Sequence, residues 1–474
     1  MKIFIALKQR NYVATYAGLI NILLQRGHLV RLVWPDDDLS VPEGVTASPN
    51  LSIEIWEPRR TDEWAPVATS IRRGADYLRY LEQPYQGAAK LRARAFEKLL
   101  RSLSGGEQVP EAGWSDRGLE LSSTVRQRLQ LIAGLMEQAI PSDPRIEALL
   151  SSPRPDVVLV SPLVDLGSSQ TEIIKSAQQM GIPTGMVLFS WDNLSTKGGL
   201  HLPPDRLFVW NERQRQEAVS LHGYPIERAI ATGAPRFDEF FKLVPETTRQ
   251  EFCAPLGLDP AKPILIYLGS SKFVVTGTEL PFIASWVRQI RTSEDARLRE
   301  CNILIRPHPD VRMEPEEGPA QTVGWNAKMK KGTITRPFDD PRAVVVRTHY
   351  RRAQGFYDAL HHSSAVVGLN TSAALEAAIV GRPVFTIVAG DGAADGQVST
   401  LHFRYLLEEE GGCVVLSSTF EEHLSQLTSV LRSNSDGSRY RQFACQFLRP
   451  LGEDIPAAET LANAIEREYL IASA

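Results

Sequence analysis

The run Arg306-Pro307-His308-Pro309 follows the apolar stretch Ile303–Ile305 and places a guanidinium and an imidazole at the end of a strand. Two prolines stiffen the turn and project the histidine outward. Aimed at one site, Arg306 and His308 suit a phosphate or a departing phosphate-linked group, whose charge cations stabilise without a metal. The alternative is a surface histidine in a rigid turn. Further on, Ala365-Val366-Val367-Gly368-Leu369 leads into Asn370-Thr371-Ser372 and an alanine-rich stretch through Ala378. That reads as a strand, a capping cluster and a helix. The Thr371 and Ser372 hydroxyls either cap the helix or join its free NH groups in holding a diphosphate. Glu376, one turn later on the same side, can accept from two ribose hydroxyls or simply sit well in the helix dipole. Gly269-Ser270-Ser271-Lys272 ends another apolar run with small residues that permit close approach of a ligand to the backbone; an ordinary strand-to-helix turn explains it equally.

These positions need a sheet to carry them. Short apolar runs alternate with helical patterns at Ile3–Leu7, Leu29–Trp34, Leu51–Trp56, Val157–Val160, Met186–Phe189, Leu207–Trp210 and Arg228–Thr232. Runs of that kind predict parallel strands covered on both faces. A second series follows at Ile264–Leu268, Ile303–Ile305, Val344–Val346, Ala365–Gly368, Val384–Ile387 and Val414–Leu416. The 474 residues therefore predict two α/β domains: 1–240, a proline-bearing linker at 241–262, 263–456, and an amphipathic helix at 457–474 expected to return to the first domain. Residues of about 63–150 interrupt the alternation with helical spacing only, a helical insertion. Between Arg59 and Arg101 it holds ten Lys or Arg against five Asp or Glu. That excess is either a solvated face or a surface for an acidic acceptor or anionic lipid headgroups.

Composition narrows the function. A net charge of -4 gives no global bias toward nucleic acid. The four cysteines, Cys253, Cys301, Cys413 and Cys445, have no CxxC spacing, which argues for core thiols in a reducing compartment and against zinc. The first apolar run is too short for a signal peptide, and no stretch has the roughly 20 apolar residues of a membrane span. The expected place is the cytoplasm, including the inner face of the membrane. After the first strand, Lys8 to Ala14 has no glycine, so the G-x-G-x-x-G of NAD or FAD sites is missing; no cofactor is expected.

Taken together, Arg306–Pro309, Gly368–Ala377, Gly381-Arg382-Pro383-Val384 and the segment Thr232–Asp238 resemble the GT-B glycosyltransferases. The likeness is nearest to capsule Kdo transferases and teichoic-acid glycerophosphotransferases. It implies an α/β fold of two Rossmann-like domains facing a cleft. The donor nucleotide would be held by Gly269, Ser270, Ser271, Arg306, Asn370, Thr371, Ser372 and Glu376, with His308 near the leaving phosphate. Asp395 and Gln397, in the glycine-rich loop Gly390–Gln397, match the place where donor sugar hydroxyls are read. Gly368 stands where the E-x7-E pattern of one retaining group needs a glutamate, so inversion is expected.

Inverting transfer needs a base, which in this architecture comes from the first domain. Asp192 is the first choice: neighbouring Trp191 offers a face for sugar stacking and would raise the carboxyl by desolvation. Asp165 is the second, and for both a turn or cap role is open. Arg10 and Asn11 would face the acceptor or donor phosphate. Asp36-Asp37-Asp38 reads as a solvated turn, and no metal is expected. The partners would be a nucleotide sugar and a glycan or lipid-linked acceptor. The rivals are a non-hydrolysing UDP-sugar 2-epimerase and a non-catalytic GT-B subunit, for which Ser190–Asn193 and Trp210–Gln214 would form a partner surface.

Overall fold

The computed structural model describes residues 1–56, 59–104, 121–270, 279–307, 334–335, 340–346, 353–369, 372–388, 400–433 and 436–470. The chain forms two α/β units. The first comprises Met1–Asp238, Thr400–His402 and Gln446–Ala474; the second comprises Glu239–Ser399 and Phe403–Cys445.

In the first unit seven parallel strands lie in the order β3-β2-β1-β4-β5-β6-β7. They are β1 (Lys2–Leu7), β2 (Leu29–Trp34), β3 (Leu51–Ile55), β4 (Val157–Ser161), β5 (Thr184–Val187), β6 (Arg206–Val209) and β7 (Ala229–Ala231). β4 is buried along its whole length, as a central strand with helices on both faces must be. The order reverses between β1 and β4, which pair in register from Ile3 with Val157 to Leu7 with Ser161. A crevice therefore opens past the carboxyl ends of these two strands, where open α/β sheets bind ligands.

Helix α1 (Val13–Gln25) covers β1 through Val13, Tyr16, Leu19, Ile20 and Leu23, all buried. Each such side chain contributes about 1.5–3 kcal/mol on leaving water. The same core takes Leu461, Ala462 and Ile465 of the C-terminal helix Ala457–Leu470. Asp238 fastens that helix, accepting from the backbone N–H of Ala457 (2.9 Å) and Ala458 (2.8 Å) while pairing with Arg449 (2.9 Å). Gly233, at φ +83°, lets the strand-end turn approach: a Cβ there would stand 2.7 Å from the Leu448 carbonyl oxygen.

Between β3 and β4 run α2 (Trp64–Arg79), α3 (Ala89–Leu103), α4 (Ser123–Ala139) and α5 (Pro144–Ser151), the helical insertion. Its seam holds Tyr77, Tyr80, Tyr85 and Ala95. A buried ionic network ties it to α6 (Thr171–Gln179). Arg72 donates to Glu137 (2.8 and 2.7 Å) and Glu172 (2.6 Å), Arg60 reaches Glu172 (3.1 Å), and Lys175 reaches Glu137 (2.8 Å). Arg60 and Arg72 of the basic excess are thus internal, not solvated. Helices α7 (Asn193–Thr196) and α8 (Glu212–His222) follow β5 and β6.

The second unit has a sheet in the order β10-β11-β9-β8-β12-β13-β14, with β10 antiparallel to β11 and the rest parallel. The strands are β8 (Ile264–Leu268), β9 (Asn302–Arg306), β10 (Ile334–Thr335), β11 (Ala343–Val346), β12 (Ala365–Val367), β13 (Val384–Ile387) and β14 (Val414–Ser417). Its order reverses between β8 and β12. Residues 241–262 carry the short helix Arg249–Cys253, begun by a Thr248/Glu251 capping box.

Candidate functional site

In the first unit the crevice at the β1–β4 reversal is flanked by two charged side chains. Lys8 follows β1 and forms an ion pair with Asp165, which follows β4 and keeps 33% of its side chain exposed. Tyr12, on the turn after β1, stacks on Phe189 beyond β5, with ring centroids 3.7 Å apart and planes within 7°. Burial first, then Asp165 and Asp192, push the Tyr12 phenol up to about 12. The tyrosine is therefore a neutral group within the electrostatic reach of both carboxylates. Arg236 covers the Phe189 ring at 5.9 Å.

Asp192 behaves differently from the expectation. Burial works to raise its carboxyl, but Lys197, His402 and hydrogen bonds from Ser190 and Thr196 outweigh that and hold it well below the usual carboxylate range. Lys197 Nζ lies 3.3 Å and Thr196 Oγ1 3.1 Å from Oδ2. A carboxylate so stabilised is a poor proton acceptor, which removes the reason for preferring it as base. Trp191 is buried, 6% exposed, with its ring edge-on to His402 at 4.6 Å. It presents no face to a sugar. His402 is itself buried, and burial lowers it to about 4, so it is neutral.

Arg10 is likewise committed. Its guanidinium donates to Ser40 Oγ (2.8 Å) and pairs with Asp38 (3.2 Å), while its backbone N–H donates to Asp36 (2.7 Å). The triple-aspartate turn thus holds Arg10 and is not merely solvated. Asn11 beside it is exposed.

The insertion fixes the loops that bear these groups, a role that sequence reading did not detect. Arg79 donates to the carbonyls of Lys197 (2.8 Å) and Leu194, Tyr80 to Lys197 (2.8 Å), and Arg94 to Thr196 (2.5 Å). Buried Asp76 accepts from Gly167 N–H (2.7 Å) and Gly199 N–H (2.7 Å). The tryptophan-bearing motifs are internal struts as well. Asn193 Oδ1 accepts from Phe189 and Ser190 N–H, Asn211 caps α8, and Gln214 accepts from Trp210 N–H at 2.7 Å. Trp191, Asn193, Trp210, Asn211 and Gln214 are all buried, which overturns their reading as a partner surface.

In the second unit, Gly269 and Ser270 leave β8 beside the reversal, and Gly269 N–H donates to the Arg306 carbonyl (2.8 Å). Ser270 N–H donates to Glu279 Oε2 (2.8 Å). Burial raises Glu279, against hydrogen bonds from Ser270 and Tyr267. Arg306 lies over the Phe356 ring at 4.6 Å and donates to the Gly355 carbonyl at 3.2 Å. Burial lowers it to about 10, leaving it a cation at neutral pH. Ser372 begins the helix Ala373–Ile379 without a side-chain cap bond, and Glu376 sits in its first turn. His308, Ser271, Asn370, Thr371, Asp395 and Gln397 lie outside the described residues. Among the described residues no group of His, Cys, Asp and Glu has the arrangement of a metal site, and no helix is long and apolar enough to cross a membrane.

Two Rossmann-like α/β units, each with a strand-order reversal and polar residues at its mouth, define a protein of the GT-B fold. Two solved structures, the first two below, bear this out. A Listeria monocytogenes protein provisionally assigned as a UDP-N-acetylglucosamine 2-epimerase matches with a TM-score of 0.52 at 13% identity, over 99% of this chain and 97% of that one. A Staphylococcus aureus MnaA–UDP co-structure matches at 0.50 and 14%, over 99% and 97%. CalG4, the calicheamicin glycosyltransferase, gives 0.46 and 12%, over 98% and 97%. At these identities the likeness is one of fold. No protein family matches the chain, and no curated protein does.

Proposed function

We propose that the chain is a nucleotide-sugar-dependent glycosyltransferase in which Asp165 is the base. The acceptor hydroxyl oxygen attacks the anomeric carbon of the donor, the bond from that carbon to the diphosphate breaks, and the hydroxyl proton passes to Asp165. Attack opposite the leaving group inverts the anomeric centre. The nucleotide diphosphate leaves toward Gly269, Ser270, Arg306 and Ser372, with His308 a further candidate, and Glu376 accepts from the ribose. Arg306 stabilises the leaving charge in a role that needs no metal.

One observation carries the reading: Asp165 lies just past the end of β4 at the strand-order reversal, is partly exposed and pairs with Lys8 from the end of β1. A base must be reachable, and Asp165 is, whereas Asp192 is engaged by Lys197 and Thr196. The acceptor is a cell-surface glycan or glycolipid precursor, met in the cytoplasm or at the membrane face. A UDP-sugar 2-epimerase is the second reading, since two of the structures sharing the fold carry UDP-N-acetylglucosamine 2-epimerase or UDP in their descriptions. It predicts turnover of a nucleotide sugar without acceptor.

A thermal-shift panel of CMP, CDP, UDP and UDP-, GDP- and dTDP-sugars tests the donor side, because a ligand of the folded state raises the melting temperature. The expected result is a shift with one nucleotide family, lost in Ser372→Ala or His308→Ala. With that donor, Asp165→Asn should lower transfer by about 10²–10⁴-fold, whereas Asp192→Asn should cost mainly stability. Transfer that survives Asp165→Asn removes the base assignment.

A further inference from the structure

A cavity of about 540 Å³ opens between the insertion and the ends of β1 and β4, and Asp165 is part of its wall. Seven lysines and arginines line it against two carboxylates, Asp165 and Glu172. Five of the seven are engaged elsewhere, Arg59 among them. Arg60 and Arg72 belong to the buried network, Lys8 is paired with Asp165, and Arg101 is paired with Glu97 on the surface. Arg73 and Lys98 are not matched in that way. Arg73 spends one N–H on the Lys98 carbonyl (3.0 Å), and its buried Nε has no hydrogen-bond partner.

Both cations are strained electrostatically. Burial lowers Arg73, with Arg101 and Arg59 adding to the effect against Asp76. Burial also lowers Lys98, with Arg94, Arg73 and Lys8 adding to it against Asp165. Cations crowded into a half-desolvated cavity are what an oxyanion relieves. The wall is shaped for Arg73: Gly167, at φ +71°, leaves room for its stem, and a Cβ there would stand 2.9 Å from Arg73 Cγ.

We propose that this cavity is an oxyanion site for a phosphate group carried by the acceptor, with Arg73 and Lys98 as its principal contacts. The acceptor role rests on the transferase reading above; the site itself does not. A phosphate held there stands beside Asp165, so the transferable hydroxyl belongs to the same small polyol or sugar phosphate. The phosphate is either that of a soluble ester or that of a lipid headgroup.

The test uses the full-length protein, inorganic phosphate in thermal shift, and co-sedimentation with phosphatidylglycerol–phosphatidylcholine vesicles. Lys98→Ala alters an exposed side chain and serves as the folding-safe variant beside Arg73→Gln. The expected result is a shift or co-sedimentation that each variant weakens on the order of tenfold and that Ser372→Ala leaves intact. A phosphate shift without vesicle binding marks a soluble ester, and vesicle binding marks a lipid headgroup. No response to either probe, or one that the variants leave unchanged, overturns the site. The nucleotide panel separates the two ideas: a nucleotide shift without an anion response ends this proposal alone. An anion response without any nucleotide shift keeps the site and ends its acceptor role.

Discussion

Replacing Arg72 by alanine tests whether the insertion is held by buried charge. The guanidinium is 3% exposed, and its partners Glu137 and Glu172 are 2% and 1% exposed. The variant strips three charge-assisted bonds from those carboxylates, leaving Glu137 with Lys175 and Glu172 with Arg60. Removing one partner of a buried ion pair costs about 3–5 kcal/mol. Because each carboxylate keeps a cation, the lower end of that range is expected. At roughly 2 °C per kcal/mol for a large unit, the melting temperature should fall by roughly 6 °C. The sign of the pH effect is also set. Against the pull of burial, Arg72 and Lys175 hold Glu137 below its ordinary 4.5. The wild-type network therefore stabilises the fold above that pH and loses its contribution as pH falls through the lower, folded value. In Arg72→Ala the loss should begin at higher pH, so the gap between variant and wild type narrows in strong acid. Urea unfolding from pH 7 to 3 measures both. A cost under about 1 kcal/mol at pH 7, the range of exposed pairs, would refute the reasoning.

Two further outcomes follow from buried groups at other places. His423 accepts from Trp286 Nε1 (3.0 Å) and is lowered by burial from 6.5 to about 4. Its unfolded state protonates first as pH drops, so stability is full above 6.5 and declines by on the order of 3 kcal/mol toward pH 4. Urea midpoints across that window should fall in wild type and flatten in His423→Gln. Gly198 has no room for a side chain, since a Cβ would lie 2.1 Å from the Asp165 carbonyl oxygen. Gly198→Ala should displace the Asp165 loop and lower transfer by about tenfold or more while the nucleotide shift stays, and unchanged kcat would sever that loop from catalysis.

Apolar runs disclosed the strands because a strand buried on both faces must be apolar throughout, as in Val157–Val160. They missed β10, whose two residues pair at a sheet edge and carry no run. Side-chain partners were much less legible. Arg72 meets carboxylates 65 and 100 positions away, a choice that nothing in Arg72-Arg73 announces. Asp192 was judged by Trp191, its neighbour in sequence, but its carboxylate is held chiefly by Lys197 and by the Ser190 and Thr196 hydroxyls. Asp165 could be named from its place after a strand, whereas its pairing with Lys8 depends on which strands adjoin at the reversal.

The insertion shows why composition alone undersold that region. A ten-to-five excess of cations admits two simple readings, solvated face or anion surface, and the fold divides it among three tasks. Arg60 and Arg72 are spent on buried carboxylates. Arg79 and Arg94 are spent on main-chain carbonyls of residues 194–197, the segment whose Lys197 sets the charge of Asp192. Arg73 and Lys98 remain on the cavity beside Asp165. A guanidinium suits the first two tasks because its planar fork satisfies several acceptors at once, while the flexible lysine stem of residue 98 suits the last. The same helices that shape the cavity therefore fix the loops carrying both aspartates, so a change in the insertion should be felt at Asp165 before it is felt in the sheet.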